Sequence, residues 1–191
     1  ITDFDALRNM AQNYTLNSET QQAYVKVEFG TGFNRDEMLT KEQLFVLRRM
    51  FGEYTQIRVE YRLTGGYSQA TLLVVTPIRP DQQEDATVAV KLHHVDAILD
   101  EAQRYESHVK AKLPPMTARI EDKPTAPESS DLAGIKYTLI TQNNQPPRDL
   151  RAILNDWEAE KLSNWLTDTF FPTFGNKWWS QNREFRFQVW R

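Results

Sequence analysis

IRVEYRLTGGYSQATLLVV (residues 57–75), ATVAVKL (86–92) and DAILDEAQRYESHV (96–109) decide the fold of this chain. The first is two β-rich runs joined by a glycine turn, Thr64-Gly65-Gly66-Tyr67-Ser68-Gln69-Ala70. The second is a strand that closes on a lone lysine, Lys91. The third has helical spacing and carries Glu101 ten positions after that lysine. Strand alternation puts Val88 and Val90 on one face of VAVK, with Ala89 and Lys91 on the other. A lysine on an apolar strand is costly unless a negative group meets it. At about 100° per helical residue, Ala102, Tyr105 and Val109 lie within about 40° of Ile98. On that wheel Glu101 stands about 60° to one side of the apolar stripe, Glu106 about 80° to the other, and Asp100 points nearly opposite. Glu101 is the first candidate partner for Lys91, with Glu106 in reserve.

Each element also has a plain reading. Glycine lets backbone approach closely and aim N–H groups at a phosphate, so the 64–70 turn can fold over one. The same residues make an ordinary tight hairpin. Lys91 can likewise be a strand-end residue whose stem is buried while its ammonium reaches water. The order of glycine turn, lysine strand and glutamate helix favours the functional version.

Outward from this centre, AYVKVEFG (23–30) alternates like a strand and ends in the turn GTGFNRDE (30–37). Thr40 reads as an N-cap with Gln43 as its capping-box partner. The helix it opens, LTKEQLFVLRRMF (39–51), carries Leu44, Leu47 and Phe51 on one face. Residues 1–20 are weakly patterned, with Phe4, Leu7 and Met10 suggesting a short helix. Strands are expected at about 57–63, 70–77 and 86–92, followed by a helix over about 95–112 that Pro114-Pro115 terminates. MTARIE (116–121) and GIKYTLI (134–140) read as two more strands. EDKPTAPESSD (121–131) between them should bulge into solvent. TQNNQPPRD (141–149) is the clearest hinge. LRAILNDWEAEKLSNWLTDTFF (150–171) is helical in pattern, with Leu162, Trp165, Leu166 and Phe170 on one side, and EFRFQVW (184–190) alternates like a strand.

Bulk properties exclude several classes. A length of 191 residues suffices for one well-packed domain, or a small domain with an appendage. The net charge of −3 gives no reason to expect nucleic acid or an anionic membrane as partner. With no cysteine there is neither disulfide nor thiolate. Three histidines, two of them the adjacent His93 and His94, make a histidine metal centre a poor expectation; the pair reads as surface. No apolar run approaches the roughly 18 residues that cross a bilayer. The start ITDFDALRN has no basic or apolar leader pattern, so a domain of a longer, cytoplasmic protein is expected.

TGGYSQATLLVV, VAVKL and DEAQRYESHV resemble the aminoglycoside-phosphotransferase branch of the kinase-like fold. More closely, GGYSQA, VKL, EAQRYESHVKAKLP and GIKYTLI resemble the kinase-like "ternary complex associated" domains of bacterial multidomain signalling and conflict proteins. The resemblance spans residues 55 to 142 and, weakly, the helical tail. It implies an α+β protein-kinase-like N-lobe, a five-stranded antiparallel sheet with one packed helix, over residues 55–142. An N-terminal helix–strand extension (1–54) precedes it, and a helical, aromatic-rich segment (143–191) follows, which can be the start of a C-lobe. It further implies Gly65, Gly66 and Ser68 over the phosphates of ATP or another nucleotide, Lys91 and Glu101 as the orienting pair, and backbone after Ile140 facing adenine.

The half that performs phosphoryl transfer is not seen. That chemistry takes an Asp and Asn spaced as in H-x-D-x-x-x-x-N and a metal-holding Asp as in D-F-G. After His108 there is no histidine, none of Asp149, Asp156 and Asp168 has an Asn five positions on, and no metal site is identified. No catalytic residue is assigned, and these residues are expected not to transfer phosphate. The expected function is a non-catalytic kinase-like module in signalling or assembly that can hold a nucleotide. The alternatives are the N-terminal part of an active small-molecule phosphotransferase whose catalytic lobe lies outside this chain, and a structural adaptor in which Lys91 and Glu101 are a relic. The expected partners are another protein or other domains of the same one. All five tryptophans fall between Trp157 and Trp190. They form either the core of the C-terminal segment or a docking surface, with Trp178 and Trp179 as its exposed element.

Overall fold

The computed structural model describes residues 25–63, 69–114, 117–139, 148–176 and 180. These fall into two compact units, one within 1–105 and 118–139, the other within 106–117 and 140–191. The expected helix at the N-terminus, the Gly65-Gly66-Ser68 loop core, residues 141–147 of the expected 141–149 hinge, Trp178-Trp179 and the alternating tail lie outside the described residues.

The first unit is an α+β structure built on a five-stranded sheet in the order β1-β2-β3-β4-β5: β1 Lys26–Phe29, β2 Gln56–Leu63, β3 Thr71–Ile78, β4 Val88–His94 and β5 Leu132–Thr138. The sheet is mixed. β1 runs parallel to β2, pairing Lys26 with Gln56 and Phe29 with Val59, while the other pairs are antiparallel. This corrects the all-antiparallel expectation, because the fifth strand comes from the AYVKVEFG segment. The described part of MTARIE, residues 117–121, does not form a full strand. Only Ile120 pairs with Tyr137, flanked by Thr138 N–H to the Arg119 carbonyl (2.8 Å) and Glu121 N–H to the Lys136 carbonyl (3.1 Å).

Two helices cover the sheet, where one was expected. Helix α1 (Lys41–Met50) starts as its sequence dictates. Thr40 Oγ1 accepts the Gln43 N–H at 3.1 Å, and Gln43 Oε1 accepts the Thr40 N–H at 2.9 Å. Its Val46, Leu47 and Met50 bury against one sheet face with Ile57, Val59, Leu73, Val75, Val88, Val90 and Leu92. Helix α2 (Val95–Arg104) lies on the other face, where Ile98 packs on Ala133 and Ile135. It follows β4 directly and continues as a wider π-type turn over Tyr105–Val109.

A bulge in β2 assigns the faces. Val59 pairs with Val75 but Tyr61 pairs with Val74, so Glu60 is the extra residue and the alternation changes phase there. Before it, Ile57 and Val59 point into the α1 core. After it, Arg62 is on the α1 side, within 3.3 Å of the Thr71 hydroxyl. Tyr61 and Leu63 therefore fall on the α2 side. The loop expected to bulge outward instead returns to β5: Thr125 and Gly134 exchange N–H bonds at 2.8 and 2.9 Å. Ser130 Oγ then donates to Glu42 at the start of α1 (2.8 Å).

The second unit contains α3 (Leu150–Asp156), α4 (Ala159–Trp165) and a π-helical stretch at Leu166–Gly175. The helical pattern over 150–171 is interrupted at Trp157, whose backbone is extended (φ −96°, ψ 140°). The break lets its ring meet Trp165 edge-on at 5.9 Å, beneath the Lys161 ammonium at 4.5 Å. Trp165 continues to Phe170 (5.2 Å) and Phe170 to Phe174 (5.2 Å). Leu150, Leu154 and Phe171 are exposed.

Candidate functional site

The lysine and the glutamate singled out by the sequence meet. Lys91 is the fourth residue of β4 and shares its sheet row with Leu72 of β3 and Ile135 of β5. Side chains of paired residues point to the same face, so Lys91 projects on the α2 side, away from the α1 core that holds Val88, Val90 and Leu92. Helix α2 starts immediately after β4, and about two turns of helix carry Glu101 back over the lysine. Lys91 Nζ stands 2.5 Å from Glu101 Oε2, the two side chains being 20 % and 34 % exposed.

The two other carboxylates weighed as partners are engaged elsewhere. Asp100 pairs with Arg104 at 2.7 Å and Glu106 with Lys110 at 2.8 Å, both one helical turn away in exposed i,i+4 pairs. Glu101 alone sits where the apolar stripe meets the sheet, because Ile98 and Ala102 on the same side of α2 pack on β5.

A third member was not foreseen. The Tyr137 hydroxyl donates to Glu101 Oε1, so each carboxylate oxygen has its own donor. Tyr137 is opposite Ala89 in the β4–β5 ladder, two residue pairs along from Lys91 and Ile135 and so on the same face. Burial, then the neighbouring Glu101 carboxylate, pushes the Tyr137 hydroxyl far above the ordinary tyrosine range, so it stays a donor at neutral pH. The signal in the sequence is the alternation of GIKYTLI, which puts Tyr137 on the face of Ile135. Its meeting with Glu101 depends on the β4–β5 register, which a single sequence does not fix.

An ammonium offers three protons, and Glu101 accepts one of them. A lysine held by a buried-edge carboxylate and aimed along a sheet face is suited to hold an anionic ligand as a point charge. Gly65, Gly66 and Ser68, expected over that ligand, lie outside the described residues. Trp178 and Trp179 lie outside them as well.

Lys136, next to Tyr137, shows what a structural lysine looks like here. It faces the α1 side, 10 % exposed, with Asp122 at 2.7 Å, Glu53 at 3.7 Å and the Phe51 ring centre at 5.0 Å. Its charge is enclosed by two acids and a ring. At the end of β4, His93 Nδ1 accepts the His94 N–H at 2.7 Å. Among the described residues no group of three His, Cys, Asp or Glu stands together as a metal site, and no helix is long and apolar enough to cross a membrane.

Comparison with known families, curated proteins and solved structures finds no match for this chain.

Proposed function

We propose that this chain is a kinase-shaped, chemically silent module that binds a nucleotide such as ATP through Lys91 and serves signalling or assembly in a cytoplasmic multidomain protein. One observation carries the reading: a strand lysine and a helix glutamate, ten residues apart, pair at 2.5 Å on the sheet face opposite the main core. In phosphate-binding lobes of kinase type the lysine holds the α- and β-phosphates and the glutamate orients the lysine. Leu72 and Ala89, on the same face and partly exposed, would supply apolar surface beside the charge.

The silence rests on the sequence. Within these residues no Asp stands in the spacing that positions a hydroxyl or holds Mg²⁺ for transfer. Mixed-sheet strand β1 and helix α1 are additions to the lobe, and they brace β2 and β5 rather than the lysine. The proposed partner is another protein or domain, with Trp178 and Trp179 as the docking element. Trp178→Ala and Trp179→Ala should weaken association while the fold survives.

Thermal shift with ATP and Mg²⁺ tests the nucleotide reading. Wild type should be stabilised and Lys91→Ala should not. No shift for wild type at millimolar nucleotide would sink it.

A further inference from the structure

We propose that Tyr137 is a positioning residue that keeps the Lys91–Glu101 pair formed before a ligand arrives, so that an anion meets a set ammonium without a movement of α2. The inference rests on the anion-binding reading of Lys91 and assigns the role to a residue outside the pair.

Glu101 is anchored to two strands at once. Oε2 takes the ammonium of Lys91 on β4 at 2.5 Å, and Oε1 takes the hydroxyl of Tyr137 on β5. With Lys91 as sole partner, a phosphate drawing the ammonium toward itself would strip Glu101 of its counter-group, and a partly buried carboxylate left alone is costly. The tyrosine hydroxyl removes that conflict. It supplies a charge-assisted bond that persists whichever way the ammonium turns. Preorganisation of this kind raises affinity by lowering the cost of ordering on binding.

Tyr137 is itself fixed on both sides. Its backbone pairs with Ala89 in the ladder and with Ile120 across the β5 edge. Its ring packs with Ile98, Ala133 and Ile135 beneath α2. The hydroxyl therefore has a defined place, set by the sheet rather than by the helix it holds.

The test is calorimetric titration of ATP, with and without Mg²⁺, into wild type and Tyr137→Phe, with hydrogen exchange of the α2 amides read without nucleotide. Tyr54→Phe is the control: it deletes a hydroxyl bonded to Asp85 at 3.2 Å, beside the α1 core. Loss of one charge-assisted bond should weaken ATP binding by Tyr137→Phe about three- to tenfold and speed α2 exchange, while Tyr54→Phe changes neither. In a Glu101→Gln background the same Tyr137→Phe change should cost less than about twofold, because the carboxylate it serves is gone. Wild type binding ATP while Tyr137→Phe binds equally well, or equal losses in both backgrounds, overturns the role of Tyr137 alone. Wild type failing to bind ATP overturns the Lys91 reading and this role with it.

Discussion

Gly134 of β5 lies against Met50 of α1 so closely that a Cβ added at 134 would sit 2.2 Å from the Met50 sulfur and 3.0 Å from Leu92 Cδ2. The helix rests on the strand at a point where only a hydrogen atom fits. Gly134 also exchanges two N–H bonds with Thr125, so the backbone there cannot easily retreat.

Gly134→Ala should therefore destabilise the sheet unit by about 1–3 kcal/mol, the usual cost of overpacking a tight core. Urea unfolding gives the value. Met50→Ala in the same background should recover part of it, since the methyl then enters the vacated volume, and the two changes should be less than additive. Full additivity would mean that the two residues do not press on each other.

Alkaline pH should weaken the fold through its partly buried tyrosine hydroxyls. Burial, then Asp85, pushes the Tyr54 hydroxyl up to about 12, and burial likewise raises Tyr61 and Tyr137. In the unfolded chain these hydroxyls ionise near pH 10, about their ordinary value. A raised folded value means that the stabilisation is complete below about pH 10 and is lost as pH climbs through the folded values. Urea midpoints should hold between about pH 8 and about pH 9.5 and fall beyond, with tyrosinate absorbance appearing later in the folded than in the denatured protein. A midpoint unchanged at about pH 11 contradicts this assignment.

Gln82 has a left-handed backbone (φ 65°) in the tight turn after β3, where its N–H meets the Arg79 carbonyl at 2.9 Å. A side chain costs roughly 1–2 kcal/mol in that conformation, and glycine avoids it. Gln82→Gly should raise the unfolding free energy by about 1 kcal/mol or less, after its greater unfolded-state entropy is counted, and Gln82→Val should lower it. The reverse order would show that the turn relaxes out of this conformation.

What the sequence discloses about this fold is what short separations control. Thr40 and Gln43 are three apart, and their reciprocal cap forms as read. Lys91 and Glu101 are ten apart with one strand end between them, and the helical wheel suffices to choose Glu101 over Asp100 and Glu106. Features that depend on distant register escaped. Strand β1 joins β2 in parallel across 30 residues of chain, and nothing local in AYVKVEFG selects that edge. The pairing of Thr125 with Gly134 turns a polar, proline-bearing loop into a strap through backbone bonds, which the composition of its side chains does not encode. Trp157 leaves the helix for a ring contact that periodicity does not encode. Tyr137 combines both difficulties: its face was legible, its neighbour across the sheet was not.

The most direct measurement of the central claim is isothermal titration of Mg²⁺–ATP into wild type and Lys91→Ala, with circular dichroism confirming that both are folded. Wild type should bind, and removal of a charge-assisted phosphate contact should raise Kd by about 10- to 100-fold. Wild type without detectable binding at millimolar ATP, or Lys91→Ala binding as tightly as wild type, would contradict the account.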